Sequence, residues 1–337
     1  MRIALITDAW QPQVNGVVRT WSYIIDELEQ QGHDWLVVHP GLFKTFTAPR
    51  YPEIKLALWA KRSLAKQLDG YQPQAIHIAT EGPLGWAARR YCLKRNLPFT
   101  TSYHTQFPLY LKQYFGLPVS WGYRIVRKFH APAQATLVPT ASLTRELTSH
   151  GFDRLVTWTR GVDVQRFHPV ESNCYTDLPR PIFVYAGRVA TEKNIEAFLD
   201  LDLPGSKVVV GDGPARETLQ RQYPHVHWAG YQFGQNLVEH YASADVFVFP
   251  SKTDTFGIVL LEANACGLPV AAYPVTGPID VVKDGHTGCL NDDLRQACLD
   301  ATHLDRETAI GHAQQYTWQR CAQMVLDHLA RLAQSAD

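Results

Sequence analysis

The sequence predicts two doubly wound α/β domains in tandem. Three observations carry this reading. Short apolar runs alternate with longer amphipathic ones, the rhythm breaks once near the middle, and it then resumes in the same form. At 337 residues, 45% of them hydrophobic, the chain is long enough to bury two cores.

RIALIT (Arg2 to Thr7) reads as a buried parallel strand. Gly16 to Gln30 reads as the helix after it, because Val17, Trp21, Ile24, Ile25 and Leu28 recur close to a 3.6-residue period. Gly32 ends that helix and DWLVVHP supplies the next strand. The pattern repeats at AIHIAT (Ala75 to Thr80), PFTTSYHT (Pro98 to Thr105) and ATLVPT (Ala135 to Thr140). Val170 to Pro181, VESNCYTDLPRP, is polar, proline-containing and aperiodic, so it marks the boundary between a first domain of residues 1–169 and a second of 170–315. The second series is PIFVYAG (181–187), SKVVVGDG (206–213), HVHWAG (225–230), ADVFVFPS (244–251) and LPVAAY (268–273). Residues 316–337 carry a last amphipathic helix, Trp318 to Leu332, free to pack back on the first domain. Two such domains are expected to leave a cleft, with ligands outside the carboxyl ends of the strands.

Composition narrows the function. The six cysteines are scattered with no C-x-x-C pair, which argues against a zinc site or disulfide framework and for a reducing compartment, with most of them small core fillers. MRIALITDAW lacks the pattern of a signal peptide, and no run approaches the roughly 18 apolar residues of a membrane span. The expectation is a cytoplasmic protein, with contact at the inner face of the cell membrane left open. A net charge of zero hides an asymmetry: residues 1–168 hold 20 Lys+Arg against 11 Asp+Glu, and residues 169–337 hold 12 against 21. From Gly82 to Arg145 there are nine basic residues and no acid. Such a split suits halves that meet different partners.

The chemistry-bearing motifs sit at predicted strand ends. After PIFVYAG come Gly187-Arg188 and, five residues on, Lys193; a glycine, two cations and a helix start suit an anion. GDGP (Gly211 to Pro214) is neither a dinucleotide fingerprint nor a phosphate loop, and reads by default as a turn. In PSKTDTFGIVLLEANACG, Asp254 precedes a helix expected to start near Phe256 or Gly257, and Glu262 lies inside it. Eight helical residues rise roughly 12 Å, a separation that suits one ligand held at both ends with phosphates at the helix start. The plainer alternative makes Asp254 a helix cap and Glu262 solvent-facing; it sits poorly with the apolar run around Glu262. In the first domain, Asn15-Gly16 occupies a strand-to-helix turn suited to phosphate, and His104 and Glu81-Gly82 fall at strand ends.

Taken in order, P-x-x-NGV (Pro12 to Val17), SYHTQF (Ser102 to Phe107), RGVD-x-x-RF-x-P (Arg160 to Pro169), GR-x-x-x-x-KN (Gly187 to Asn194), VGDGP (Val210 to Pro214) and the Asp254 segment resemble the retaining glycosyltransferases of family four, which have the GT-B fold. The set spans nearly the whole chain. The family's E-x7-E signature falls on Asp254 and Glu262, with Asp in the first place. The resemblance implies that Glu262 holds the ribose of a nucleotide-sugar donor, and that Asp254 with Phe256, Gly257 and Ile258 holds the transferred sugar. Arg188 and Lys193 would neutralise the departing diphosphate, with Gly16, Gly187 and Gly211 close to the donor. His104 would position sugar hydroxyls, and Asn15, Glu81 and Gly82 would lie toward the acceptor. It further implies same-face attack with no protein nucleophile, and neither cofactor nor divalent metal. DTFG together with EGPLG (Glu81 to Gly85) looks most like bacterial mannosyltransferases using GDP-mannose, with UDP-sugars of glucose, galactose or glucuronate as the alternative. A nucleotide-sugar 2-epimerase of the same architecture is the rival from another class.

The acceptor is expected to be a glycan or a lipid-linked sugar. Tyr110 to His130 has four Lys/Arg, six aromatics and no acid, the mixture an interfacial segment uses on an anionic leaflet. Lys112, Trp121, Arg124, Arg127 and Lys128 are its candidate membrane contacts; an ordinary core helix with a solvated basic face is the alternative. Nothing else in the sequence suggests a nucleic-acid partner.

Overall fold

The alternating runs build two six-stranded sheets in which every strand pair is parallel, seen in a computed structural model. The structure describes the chain except residues 14, 49–50, 110–111, 113–115 and 335–337; of 48, 51–54 and 334 only the backbone is described. The chain divides into two units, Met1–Arg160 with Trp318–Asp337, and Gly161–Thr317. The division falls between Arg160 and Gly161 rather than at 169/170. Val162 and Phe167 are buried in the second unit's core, and the Val162 N–H donates to the Tyr316 carbonyl within that unit.

The first unit contains strands β1 (Arg2–Ile6), β2 (Asp34–Val38), β3 (Thr45–Ala48), β4 (Tyr51–Ala57), β5 (Ala75–Ile78), β6 (Thr100–Ser102), β7 (Ala135–Val138) and β8 (Leu155–Thr157). Its helices include α1 (Gly16–Glu29), α2 (Lys61–Tyr71), α3 (Pro83–Arg95), α4 (Val119–His130) and α5 (Ala141–Ser149). The sheet order is β2-β1-β5-β6-β7-β8, while β3 and β4 form a separate antiparallel hairpin. That hairpin and β8 have no counterpart in the sequence reading, because runs of three to seven residues with interrupting prolines carry little periodicity. The strand expected over Pro98 to Thr105 is only Thr100–Ser102, so His104 stands two residues past its end.

The second unit contains β9 (Ile182–Ala186), β10 (Ser206–Val210), β11 (His227–Gly230), β12 (Val246–Phe249), β13 (Val270–Ala272) and β14 (Gly288–Leu290), in the order β11-β10-β9-β12-β13-β14. Helices α6 (Glu196–Leu199), α7 (Arg216–Gln222), α8 (Gly234–Ala242), α9 (Ile258–Ala265), α10 (Pro278–Val281), α11 (Leu294–Ala301) and α12 (Arg306–Ala313) surround them. Every residue of β9 and β12 is buried, as a parallel strand covered on both faces requires.

The last helix, α13 (Trp318–Gln334), belongs to the first unit. The Trp318 ring stacks on Tyr23 of α1 at 4.6 Å and 7°, the Gln319 amide donates to Glu27 at 2.9 Å, and the Cys321 thiol donates to the Thr159 carbonyl. Cys92, Cys266, Cys298 and Cys321 are buried and unpaired, as core fillers should be; Cys174 is exposed and Cys289 half-buried.

Candidate active site

In the second unit the chain runs from β9 outward to β10 and β11, then returns to β12 on the other side of β9. The loops after β9 and β12 therefore leave neighbouring carboxyl ends at a topological switch point, the position where open α/β sheets bind ligands. These loops are GRVATEKN and PSKTDTFG. Three polar contacts join them: Lys193 Nζ to Asp254 Oδ1 at 2.6 Å, Asn194 Nδ2 to the Pro250 carbonyl at 3.0 Å, and Thr253 Oγ1 to the Glu192 carbonyl at 3.2 Å. Arg188 lies 3.9 Å from the buried Glu192 carboxylate, and its carbonyl accepts from Tyr185 Oη at 2.7 Å. GDGP serves these loops from the next strand. A Cβ on Gly211 would fall 1.8 Å from the Gly187 carbonyl oxygen, and the Val189 N–H donates to the Asp212 carbonyl at 2.9 Å. The turn thus has a bracing job, through a backbone approach that only glycine permits.

The two carboxylates are not a cap and a surface residue. The cap position of α9 belongs to Gly257, at φ +85°, and no side chain caps the helix. Asp254 instead pairs with Lys193, and its Oδ2 is buried without a hydrogen-bond partner among the described residues. Glu262 is 2% exposed. The 12 Å rise expected between them does not apply: helix begins only at Ile258, so four of the eight steps are helical and contribute roughly 6 Å. Phe256 is buried beneath the loop. Gly277, at φ +95°, lets the following β13–α10 loop back this turn, since a Cβ there would sit 3.0 Å from the Asp254 carbonyl oxygen.

The first unit repeats the arrangement at β1 and β5. Asp8, after β1, accepts from Leu84 N at 2.8 Å, Gly85 N at 3.2 Å and Thr80 Oγ1 at 2.9 Å, capping α3 from outside the helix. Its carboxylate fills the space beside Gly82, whose Cβ would meet Asp8 Cγ at 2.3 Å. Burial outweighs these donors and raises the Asp8 pKa to about 6. Asn15 caps α1, its Oδ1 accepting from Val17 N and Val18 N at 3.0 Å each. A Cβ at Gly16, the first residue of α1, would meet no atom within 4 Å among the described residues. His130 Nε2 lies 3.1 Å from the Glu81 carboxylate, which accepts from it when that nitrogen carries the ring proton.

His104 faces two groups that can only donate, and a neutral ring accepts from just one of them. Trp21 Nε1 donates to its Nε2 at 3.0 Å, and Arg160 Nη2 lies 3.3 Å from its Nδ1. Burial, then the Arg160 charge, push the His104 pKa well below the ordinary histidine range, so the ring is neutral near pH 7. The Arg160 guanidinium lies 3.9 Å over the Trp158 ring, and burial lowers its own pKa to about 10. Sequence reasoning gave Arg160, Tyr185 and Asn194 no role of their own. Arg160 and Asn194 stood inside quoted motifs; nothing in the sequence marks Tyr185.

Along Tyr110 to His130, residues 110–111 and 113–115 lie outside the described residues. Lys112, Trp121, Arg124, Arg127 and Lys128 are exposed, while Tyr123, Val126 and Phe129 of α4 face the core. Among the described residues no helix is long and apolar enough to cross a membrane.

Two parallel α/β units with switch-point loops of this kind are the GT-B architecture, and solved structures agree on the fold. Sucrose-phosphate synthase from Thermosynechococcus elongatus superimposes with a TM-score of 0.81 at 21% identity, covering 100% of both chains. Anabaena HepE in complex with UDP-glucose gives 0.74 at 14% identity, over 98% of this chain and 100% of that one. Residues 14–166 match the family described as Glycosyltransferase Family 4, and residues 180–303 match Glycosyl transferases group 1. A GDP-mannose-dependent alpha-mannosyltransferase of Corynebacterium glutamicum is 31% identical over 319 residues, covering 87% of this chain and 77% of that protein. Sulfoquinovosyl transferase SQD2 of Arabidopsis thaliana is 30% identical over 349 residues, covering 90% and 68%. The chain belongs to glycosyltransferase family four and is a retaining enzyme that transfers a sugar from a nucleotide-sugar donor.

Proposed function

We propose that this enzyme transfers mannose from GDP-mannose to a lipid-linked or glycan acceptor at the cytoplasmic face of the membrane. One observation carries the donor choice. Relatives from Corynebacterium glutamicum, Mycobacterium tuberculosis and Mycolicibacterium smegmatis, each 31% identical over 86–91% of this chain, are GDP-mannose-dependent alpha-mannosyltransferases. The geometry of the second unit supports a donor site there: Arg188, Lys193 and Asp254 on loops joined at a switch point, Glu262 on the helix that follows, and one carboxylate oxygen of Asp254 buried without a hydrogen-bond partner among the described residues.

In this reading Glu262 binds the ribose hydroxyls, and Asp254, with Phe256, Gly257 and Ile258, binds the mannose. Arg188 and Lys193 meet the diphosphate and stabilise the charge that grows on it as the sugar bond breaks. Gly187 and Gly211 keep the loops close enough for that contact. The leaving phosphate then takes the proton of the acceptor hydroxyl on the same face, without a protein nucleophile. These fixed cations make a divalent metal unnecessary, so chelation with EDTA is expected to leave turnover unchanged. Gly16 serves the donor phosphates. His104, neutral and fixed, orients sugar hydroxyls, while Asn15, Glu81 and Gly82 shape the acceptor side. The exposed residues of α4 with Lys112 meet the anionic leaflet.

The test is a panel of GDP- and UDP-sugars screened for thermal stabilisation and slow donor hydrolysis. GDP and GDP-mannose should raise the unfolding midpoint. Stabilisation by UDP and not by GDP would overturn the donor, and conversion of the nucleotide sugar at C2 with no acceptor present, seen by NMR, would make the protein an epimerase.

A further inference from the structure

Four charged side chains meet where the loops after β9 and β12 join, and they come in two pairs. Lys193 holds Asp254 at 2.6 Å, and Arg188 lies 3.9 Å from Glu192. All four charges act on the buried Tyr185 hydroxyl, which donates to the Arg188 carbonyl. The functional reading uses Arg188, Lys193 and Asp254. It leaves the fourth group, Glu192, without a task.

The turn that carries Glu192 fixes where its side chain goes. Thr191–Lys193 is a single turn of 3-10 helix, closed by Asn194 in the left-handed region at φ +53°. Successive side chains of such a turn leave it about 120° apart. Lys193 therefore reaches Asp254 while Glu192 turns inward, its side chain only 5% exposed. Thr253 and Asn194 tie the turn to the β12 loop, so the carboxylate cannot swing out to water without breaking those bonds. A carboxylate held this far from solvent needs a cation close by. Arg188 is that cation, yet its own side chain is 28% exposed and within reach of a ligand from solvent. Its guanidinium has one anionic partner built into the loop and a second that arrives with the substrate.

We propose that Glu192 competes with the diphosphate for Arg188 and thereby sets how readily the nucleotide product leaves. The proposal rests on the reading that Arg188 and Lys193 meet the diphosphate. A fixed anion beside an anion site lowers affinity in proportion to the charge of the ligand, and the reaction changes that charge. In GDP-mannose the β-phosphate carries the sugar. In GDP the freed oxygen ionises with a pKa of about 6, so the product holds about one more negative charge near pH 7.5. Glu192 therefore disfavours the product more than the donor. The same repulsion opposes the charge that grows as the sugar bond breaks, so faster release comes with a slower chemical step.

Calorimetry of the full chain with GDP and with GDP-mannose at pH 7.5 tests this. Glu192→Gln should tighten GDP about tenfold and GDP-mannose about threefold, and single-turnover hydrolysis of GDP-mannose should speed up. Glu192→Asp keeps the charge and should stay close to wild type with both ligands. Where Glu192→Gln shows no cooperative unfolding transition, Glu192→Ala carries the same comparison. Weaker GDP binding together with slower hydrolysis would make Glu192 a positioning residue for Arg188 and overturn the proposal. Equal tightening of both ligands would overturn it too, since the charge difference would then play no part. Arg188→Gln separates this proposal from the donor reading. If it weakens GDP while Glu192→Gln leaves GDP affinity unchanged, the proposal alone fails; if Arg188→Gln itself leaves GDP affinity unchanged, the diphosphate reading falls and the proposal with it. Binding of UDP in place of GDP would overturn only the choice of base, and UDP against UDP-glucose then carries the same comparison of charge.

Discussion

Lys193 and Asp254 are 61 positions apart in sequence and 2.6 Å apart in space. In the proposed reading a carboxylate and an ammonium so placed mark where the sugar meets its leaving group, and Glu262, buried on α9, takes the nucleotide end. The two carboxylates should therefore fail differently. Glu262→Ala is expected to weaken nucleotide binding roughly tenfold or more, the loss of hydrogen bonds to a charged acceptor. Asp254→Asn should chiefly slow turnover, since it removes the partner of Lys193. Calorimetry with GDP beside steady-state kinetics separates the two, and equal losses of GDP affinity would contradict this division of labour. The burial of Glu262 was legible in GIVLLEANACG, where an unpaired surface carboxylate made little sense. The Lys193 contact was not, because it depends on β9 and β12 being neighbours, and strand order leaves no local trace in sequence.

At the scale of elements, loops are held by groups outside them. Asp8 caps α3 from the end of β1, and its pKa of about 6 against an ordinary 3.8 means that the folded state binds its proton more tightly than the unfolded chain. The contribution of this group is complete below pH 3.8 and is lost as pH rises through about 6. Relative to Asp8→Asn, wild type should gain stability on the order of 3 kcal/mol between pH 7 and pH 4, read from paired unfolding curves. His77, held down to about 3 by burial, acts in the opposite sense, and comparing the variants cancels it. Gly277 is the corresponding device beside Asp254. Gly277→Ala should destabilise by roughly 1–2 kcal/mol for its left-handed backbone. It should slow turnover further, because the new Cβ would press on the Asp254 carbonyl 3.0 Å away. A fall in stability with turnover intact would detach this loop from the site. The long helices and fully apolar strands could be read from periodicity. The β3–β4 hairpin, β8 and β14 could not, since three to seven residues are too few to display a period.

For the whole molecule, the alternation of strands and helices foretold two parallel sheets, and the order of motifs foretold the family. The last helix, which the sequence leaves free to pack back on the first domain, closes the first unit. Trp318, Cys321, Ala322, Val325, Leu329 and Leu332 of α13 are all buried. A chain ending at Thr317 should retain the cooperative unfolding of the second unit while the first melts at a lower temperature and binds a hydrophobic dye. An unchanged melting profile would mean that α13 adds nothing to the first core. Because α13 follows the second unit in sequence, the order of synthesis and the order of completion differ. The segment Gly161–Thr317 is contiguous and can finish folding as soon as it has left the ribosome, whereas the unit begun first must wait, α1 uncovered, until α13 emerges.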